Sequence, residues 1–388
     1  MQDLRQSSPG ARWTRALCGI SADVKIAIVH DYLCGIGGSE RVFQYMCEEF
    51  PEADVYTLAY NPDATYPYFR ERRIKTTWLN PFVRTMEAFR WSFPLATYAM
   101  QGLDLRNYDV VLSSSATVAK YVRAPNGRHI CYCYIPTRAL WQFDEYFASG
   151  WKARLVKPFL SYLRKRDLDA ARRVDKFIAI SAVTRQHIRA CYGRESDIIY
   201  SPINLNSFQP AAEKKGHFLL VSRLEQWKRV DYAIEAFNRL GLPLRIIGTG
   251  IEEARLKAMA KPNIRFLGAV DDATLAREYG EAKAVIFTPF LEYGLIPLEA
   301  NASGTPVICL GKGGITETMV PFEEGAIARA GAPTAVFFYE QTADALVEAI
   351  ARFGQARFDA AQLVKHAAEW DVPAFKEKIR RAVESTGD

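Results

Sequence analysis

Short apolar runs alternate with helical patterns along most of the chain. In the first half the runs are VKIAIVH (24–30), DVYTL (54–58), DVVLSSS (109–115), HICYCYI (129–135), KFIAIS (176–181) and DIIYSP (197–202). A second series follows: HFLLVS (217–222), LRIIGTG (244–250), IRFLG (264–268), AVIFTP (284–289), TPVICLG (305–311) and AVFF (335–338). Strands that are apolar on both faces, with helices between them, predict parallel sheets of βα units. Two such series predict an α/β chain of two doubly wound domains, 24–209 and 217–365. The join is PAAEKKG (210–216), which is charged, small and Pro-led. Residues 1–23 carry basic residues but no apolar core of a signal peptide, and read as a disordered tail or an over-long start.

Composition narrows the class. Hydrophobic residues make up 49% of the chain and charged residues 24%. Such a balance is ordinary for a globular enzyme. The seven cysteines are scattered with no CxxC. That predicts buried thiols in a reducing compartment. The five histidines form no HxxxH or HxH, so no metal site is expected. No apolar run reaches the roughly 20 residues of a membrane span. The net charge is +6, and its surplus sits in the first half. Segment 151–173 holds eight basic and two acidic residues. Segment 70–90 sets Arg70, Arg72, Arg73, Lys75, Arg84 and Arg90 against Glu71 and Glu87. Such runs are either solvated helix faces or attract anionic lipid or phosphate. No RNA- or DNA-binding signature occurs, so nucleic acid is not an expected partner.

The ends of the first strand in each series carry special turns. Strand 24–30 runs into DYLCGIGGSERVFQYM, where Gly35, Gly37 and Gly38 precede a helix. Glycine-rich turns at a helix start let backbone N–H groups approach an anion. The pattern falls short of a dinucleotide fingerprint because Glu40 holds the third glycine position. Strand 217–222 runs into RLEQWKRVDYAIEAF. Arg223 and Lys228 at that turn are either surface charges or a pair of cations for a diphosphate in an interdomain crevice. Farther on, PFLEYGLIPLEANASGTPVI places two carboxylates, Glu292 and Glu299, around a Tyr-Gly.

Together these stretches resemble a family. SRLEQWKRVDYAIEAF, RIIGTGIEEARLKAMA and PNIRFLGAVDDATLAREYGEAKAVIFTPFLEYGLIPLEANASGTPVI are similar to the donor domain of family-4 retaining glycosyltransferases. HDYLCGIGGSERV, YDVVLSSS and RVDKFIAISAVTRQHIRACYG followed by SPINLNSF resemble the first half of the same family. The resemblance covers residues 24 to about 380. It implies the GT-B architecture, two Rossmann-like domains facing across a cleft, with a C-terminal helix (366–388) that crosses back to the first domain. Bacterial mannosyltransferases that use GDP-mannose in polysaccharide assembly are the nearest type; rhamnosyl and glucosyl transferases share the framework.

The resemblance also assigns roles. Arg223 and Lys228 are expected on the donor diphosphate, aided by backbone N–H groups of Gly294, Leu295 and Ile296, without a metal. Negative charge grows on that leaving group in the transition state, so fixed cations are what the chemistry needs. The only Asp-x-Asp, Asp167–Asp169, lies in a helical basic run and reads as helix surface charge. Glu299 is expected to accept from the ribose hydroxyls, a task suited to a carboxylate with acceptor capacity on both oxygens; a helix-start acid is the plain alternative. Glu292 is expected at the transferred sugar, although its spacing to Glu299 is one residue short of the family's, which leaves Leu291 as the other occupant of that position. Gly248, Gly250, Gly37 and Gly38 are expected to line the donor, and Gly313 and Gly314 to face it. Tyr134 stands where the family has a histidine on the acceptor side, and with an ordinary pKa of about 10 it is a poor base near neutrality. Arg138 is either an acceptor or phosphate contact, or half of a buried ion pair. The expected partners are a nucleotide sugar and a glycan or polyprenyl-diphosphate-linked oligosaccharide. The expected location is the cytoplasm, with peripheral membrane contact through 70–90 and 151–173. A non-catalytic subunit, or an epimerase of the same architecture, remains open.

Overall fold

The structure, a computed structural model, describes residues 24–143, 157–322 and 332–385. The expected tail 1–23, the first six residues of the basic run 151–173 and residues 386–388 lie outside them. The first half is a parallel seven-stranded sheet: β1 (Ile26–His30), β2 (Asp54–Thr57), β3 (Ile74–Thr76), β4 (Val110–Ser115), β5 (Arg128–Cys133), β6 (Lys176–Ala179) and β7 (Ser196–Ile198), in the order β3-β2-β1-β4-β5-β6-β7. The second half is a parallel six-stranded sheet: β8 (Phe218–Val221), β9 (Leu244–Ile247), β10 (Ile264–Gly268), β11 (Ala284–Phe287), β12 (Val307–Leu310) and β13 (Ala335–Phe338), in the order β10-β9-β8-β11-β12-β13. Every apolar run expected as a strand overlaps one, although β7 takes in only the first two residues of the run 197–202. The strand that the pattern did not signal is β3, a half-buried sheet edge of three residues.

Both sheets are buried on two faces, as uninterrupted apolar strands require. Ile28, Leu112, Ile130 and Ile178 pack into one layer with the helix Gly38–Glu49; Ala27, Val29 and Val111 face the opposite layer. In each sheet the strand order reverses beside the first strand, at β1/β4 and at β8/β11. Crevices at such reversals, outside the carboxyl ends of the strands, are where open α/β sheets bind ligands. The loops that emerge there are 31–38 and 222–229, the two turns singled out in the sequence.

The chain crosses between the halves twice, and the crossings run side by side. Ile203 bridges Asp371, and the Ile203 N–H donates to Trp370 O at 2.9 Å. Ile203, Leu205 and Phe208 already pack in the second core, ahead of the charged stretch 210–216. That stretch lies along the second half: Lys214 Nζ donates to Gly280 O, Gly304 O and Thr305 Oγ1, and Lys215 pairs with Glu281 at 2.6 Å. After the return, the helix Val372–Glu384 sets Phe375, Ile379, Ala382 and Val383 into the first core. Lys376 and Arg380 pair with Glu48 and Glu49 of the helix Gly38–Glu49. Its capping Asp371 accepts from Val372 N–H at 2.8 Å, which fixes where the helix starts.

Candidate active site

On the first-half wall, polar groups are held by the protein itself. Asp31, just past β1, is buried and accepts four backbone N–H bonds, from Ala116, Thr117, Val118 and Ala119, at 2.6–2.9 Å. Its charge binds the loop after β4 to the end of β1. His30 stacks on Phe43 at 4.5 Å and shares a hydrogen bond with Ser114 Oγ. Tyr134 donates to Ser39 O at 3.0 Å and shares a second bond of 3.0 Å with Ser114 Oγ. Burial pushes its phenol well above the ordinary range, which favours the protonated form, and its bond to Ser39 O ties it to the glycine-rich loop. Gly37 caps the helix Gly38–Glu49 with extended backbone. A Cβ on Gly38 would stand 3.2 Å from Leu295 Cδ1, so this loop touches the helix start of the other half.

On the second-half wall, the loop after β8 presents charges to the cleft. Trp227 is 39% exposed. Three cations surround its ring: Lys228 Nζ at 4.0 Å from the ring centre, the Arg138 guanidinium carbon at 5.5 Å and that of Arg223 at 5.8 Å. The negative face of the indole attracts them. Glu225 anchors the group, accepting from Trp227 Nε1 and pairing with Arg223. Burial, reinforced by the Arg223 and Arg138 cations, lowers Lys228 to about 7. The next residue, Arg229, has φ 52 and is the only non-glycine with positive φ among the described residues. Left-handed backbone costs a bulky residue roughly 1 kcal/mol, and such strain concentrates at functional sites. Beneath the loop, the turn 248–250 approaches so closely that a Cβ on Gly248 would fall 1.9 Å from Ser222 O, and one on Gly250 2.2 Å from Leu224 O. These glycines let the cation-bearing loop rest on β9.

Glu299 lies in the second turn of the helix Leu295–Ala302, not at its start, so the helix dipole is not what places it there. Tyr279 OH donates to Glu299 Oε2 at 2.9 Å; burial raises the carboxyl pKa, opposed by the Tyr279 bond and the charge of Arg41. Arg41, from the first half, pairs with Asp272 at 3.4 Å, beside an interdomain cavity of about 420 Å³ that the two residues line with Tyr66 and Asn204.

The shortened loop before Gly294 resolves plainly. Leu291 bridges Gly313 and packs in the second core, whereas Glu292 turns to the cleft and pairs with Arg138 of the first half. Gly314 fits beneath this loop because a Cβ there would collide with Glu292 O at 1.8 Å. Thus Gly313 and Gly314 support the Glu292 loop, and Arg138 is half of an ion pair that spans the cleft. Two further residues join the halves. Tyr293 OH donates to Ser201 O at 2.8 Å, and the Glu317 carboxylate accepts from the Ala182 and Val183 N–H groups at the start of the helix Ala182–Tyr192. Nothing in the sequence marks Glu317. Trp227 does have a local signal, an aromatic residue set between two cations.

One expectation is overturned. Asp167 is not helix surface charge: it is fully buried, pairs with Lys120 Nζ at 2.9 Å and accepts from Tyr121, Tyr192 and Trp141 at 2.7–2.8 Å. Only Asp169 of that motif stays at the surface, paired with Arg172. Among the described residues no three His, Cys, Asp or Glu side chains group as a metal site, and no helix is long and apolar enough to cross a membrane.

Cations over an aromatic ring at one switch point, a carboxylate on the helix after β11 and a glycine-rich loop opposite present the chemistry that an extended, anionic, hydroxyl-bearing ligand needs. Known proteins agree with this architecture. Residues 36–207 match the family model for Glycosyltransferase Family 4, and residues 203–370 that for Glycosyl transferases group 1. Glycogen synthase of Mycobacterium tuberculosis is 30% identical over 197 residues, 46% of each chain, so the match spans about half of that relative's length. An alpha-1,3/1,6-mannosyltransferase of Mus musculus is 23% identical over 343 residues, 74% of this chain and 80% of its own. Sucrose-phosphate synthase from Thermosynechococcus elongatus shares the fold with a TM-score of 0.73 at 17% identity, over 92% of this chain and 98% of its own.

Proposed function

We propose that this chain, a GT-B glycosyltransferase with a family-4 first half and a group-1 second half, transfers a hexose from a nucleotide diphosphate to a glycan acceptor with retention. The observation that carries the reading is the group of Arg223, Lys228 and Arg138 around Trp227 at the β8/β11 switch point. The C1–O bond to the diphosphate breaks, an acceptor hydroxyl attacks from the same face, and the departing phosphate oxygen takes the hydroxyl proton. Arg223 and Lys228 stabilise the negative charge left on the diphosphate, without a metal. Glu299 holds the ribose and Glu292 the sugar, after release from Arg138. The donor is most simply GDP-mannose, a choice favoured by the mannosyltransferase relative; the glycogen synthase relative favours a glucosyl donor as the second reading. The acceptor is a glycan or polyprenyl-diphosphate-linked oligosaccharide of surface polysaccharide synthesis, met at the inner membrane face. Incubation with GDP-mannose, UDP-glucose and dTDP-rhamnose, with lipid-linked oligosaccharides as acceptors, tests this by product anomer analysis. Turnover with GDP-mannose alone and an α-linked product is expected. No binding of GDP- or UDP-sugars in a donor titration would instead indicate a non-catalytic subunit.

A further inference from the structure

Half of the exposed large apolar side chains among the described residues lie in two short segments of the first half, 78–98 and 159–162. Trp78, Phe82, Trp91, Leu95 and Tyr98 belong to the first, with exposures from 47% at Tyr98 to 72% at Phe82; Phe159 and Tyr162 belong to the second. The helix Met86–Gln101 explains the pattern. Its inner face buries Phe89, Ala96, Ala99 and Met100 in the core, while Trp91, Pro94, Leu95 and Tyr98 recur at helical spacing on the outside. A helix of a water-exposed surface is polar on that side. The outer face of the helix Met86–Gln101 and the second segment form one surface: Tyr98 OH and Tyr162 OH share a hydrogen bond of 2.6 Å, and the Arg166 guanidinium sits 3.7 Å over the Tyr98 ring.

Charge selects the occupant. Across 78–98 and 157–166, Arg84, Arg90, Lys157, Arg164, Lys165 and Arg166 face one carboxylate, Glu87. A second copy of this face would meet like charge, which disfavours pairing with itself. Aromatic residues interleaved with cations are what an interface of anionic lipid headgroups and acyl chains recognises. The surface also borders the cleft: Cys34 Sγ in the glycine-rich loop donates to Val83 O at 3.4 Å.

We propose that this surface seats the protein on an anionic bilayer, with Phe82, Leu95 and Phe159 entering the headgroup region and Arg90 and Lys165 on lipid phosphates. The inference deepens the lipid-linked acceptor of the proposed function; its evidence, however, is the surface and not the reaction. The test is co-flotation of the full chain with vesicles of phosphatidylcholine mixed with phosphatidylglycerol, compared with phosphatidylcholine alone. The wild type is expected to float with the mixed vesicles only. Phe82→Ser/Leu95→Ser/Phe159→Ser should lower partitioning about tenfold or more, and Arg90→Gln/Lys165→Gln about thirtyfold, at roughly 1 kcal/mol per cation. Both variants should bind nucleotide as the wild type does, which verifies their fold. A wild type that stays with the unbound fraction, or an apolar triple variant that floats equally well, overturns the proposal. So does a wild-type dimer that the triple variant dissociates, which would assign the face to a second copy. Vesicle binding without sugar transfer would sink the proposed function and leave this inference standing.

Discussion

The two halves share a parallel, doubly wound plan, yet they treat charge at the cleft in opposite ways. In the first half the carboxylates are used up by the fold: Asp31 by four backbone N–H groups, Asp167 by Lys120 and three aromatic donors. In the second half Arg223, Lys228 and Glu299 stand at the cleft with few protein partners, and two of the three have displaced pKa values. A buried charge with every bond made holds a fold together; a half-buried one with bonds to spare waits for a ligand.

The sharpest way to break this contrast is at Asp167. Removal of that carboxylate strands the Lys120 ammonium in a dry core, so Asp167→Ala should cost about 3–5 kcal/mol of stability. Denaturant unfolding reads this directly, and a loss under about 1 kcal/mol would mean that the network is not an anchor. At the second-half loop the effect should move from stability to turnover. Arg223→Ala and Lys228→Ala should each lose about 3 kcal/mol of transition-state stabilisation, a hundredfold or more in kcat. Unfolding of the Arg223 variant, changed at an exposed position, should stay within about 0.5 kcal/mol of wild type. Full activity in both variants would remove the donor site from this loop.

Acidity sharpens the same point. Lys228 lies at about 7 in the free protein, and a bound diphosphate favours the ammonium and raises its pKa. Donor affinity should therefore be full below pH 7 and fall as pH rises toward the pKa of the complex, at most about tenfold per pH unit for one proton. Calorimetry in buffers of different ionisation heat should show proton uptake near pH 7.5, and Lys228→Met should abolish it. The smallest effect is expected at Tyr134→Phe, which loses the bonds to Ser39 O and Ser114. That should cost about 1 kcal/mol of stability and leave kcat within a few-fold. A hundredfold fall in kcat would instead place the phenol in the chemistry.

Part of the candidate site was legible because its signals are local. Arg223 and Lys228 stand five residues apart on one turn after a strand, and the glycine-rich loop follows the other switch-point strand directly. The rest depended on distant partners. Arg138 and Glu292 lie 154 positions apart and meet only because the halves close on each other. Glu317 caps a helix of the first half from the second, with no local mark of that duty.

The two-sheet plan follows from the chain's local pattern, since a run of consecutive apolar residues is soluble only when both faces are covered, whatever surrounds it. That pattern also determined which turns reach the switch points. Tertiary structure alone decided the state of each charge. Asp167 sits in a run of basic residues that reads as solvated, but the helix it rides turns that position toward Tyr121, Tyr192 and Trp141, gathered from three separate elements. Edge strand β3 was decided the same way, by pairing with β2 and not by its own three half-buried residues. Burial is a property of neighbours, and neighbours far apart in the chain are not written in any local pattern.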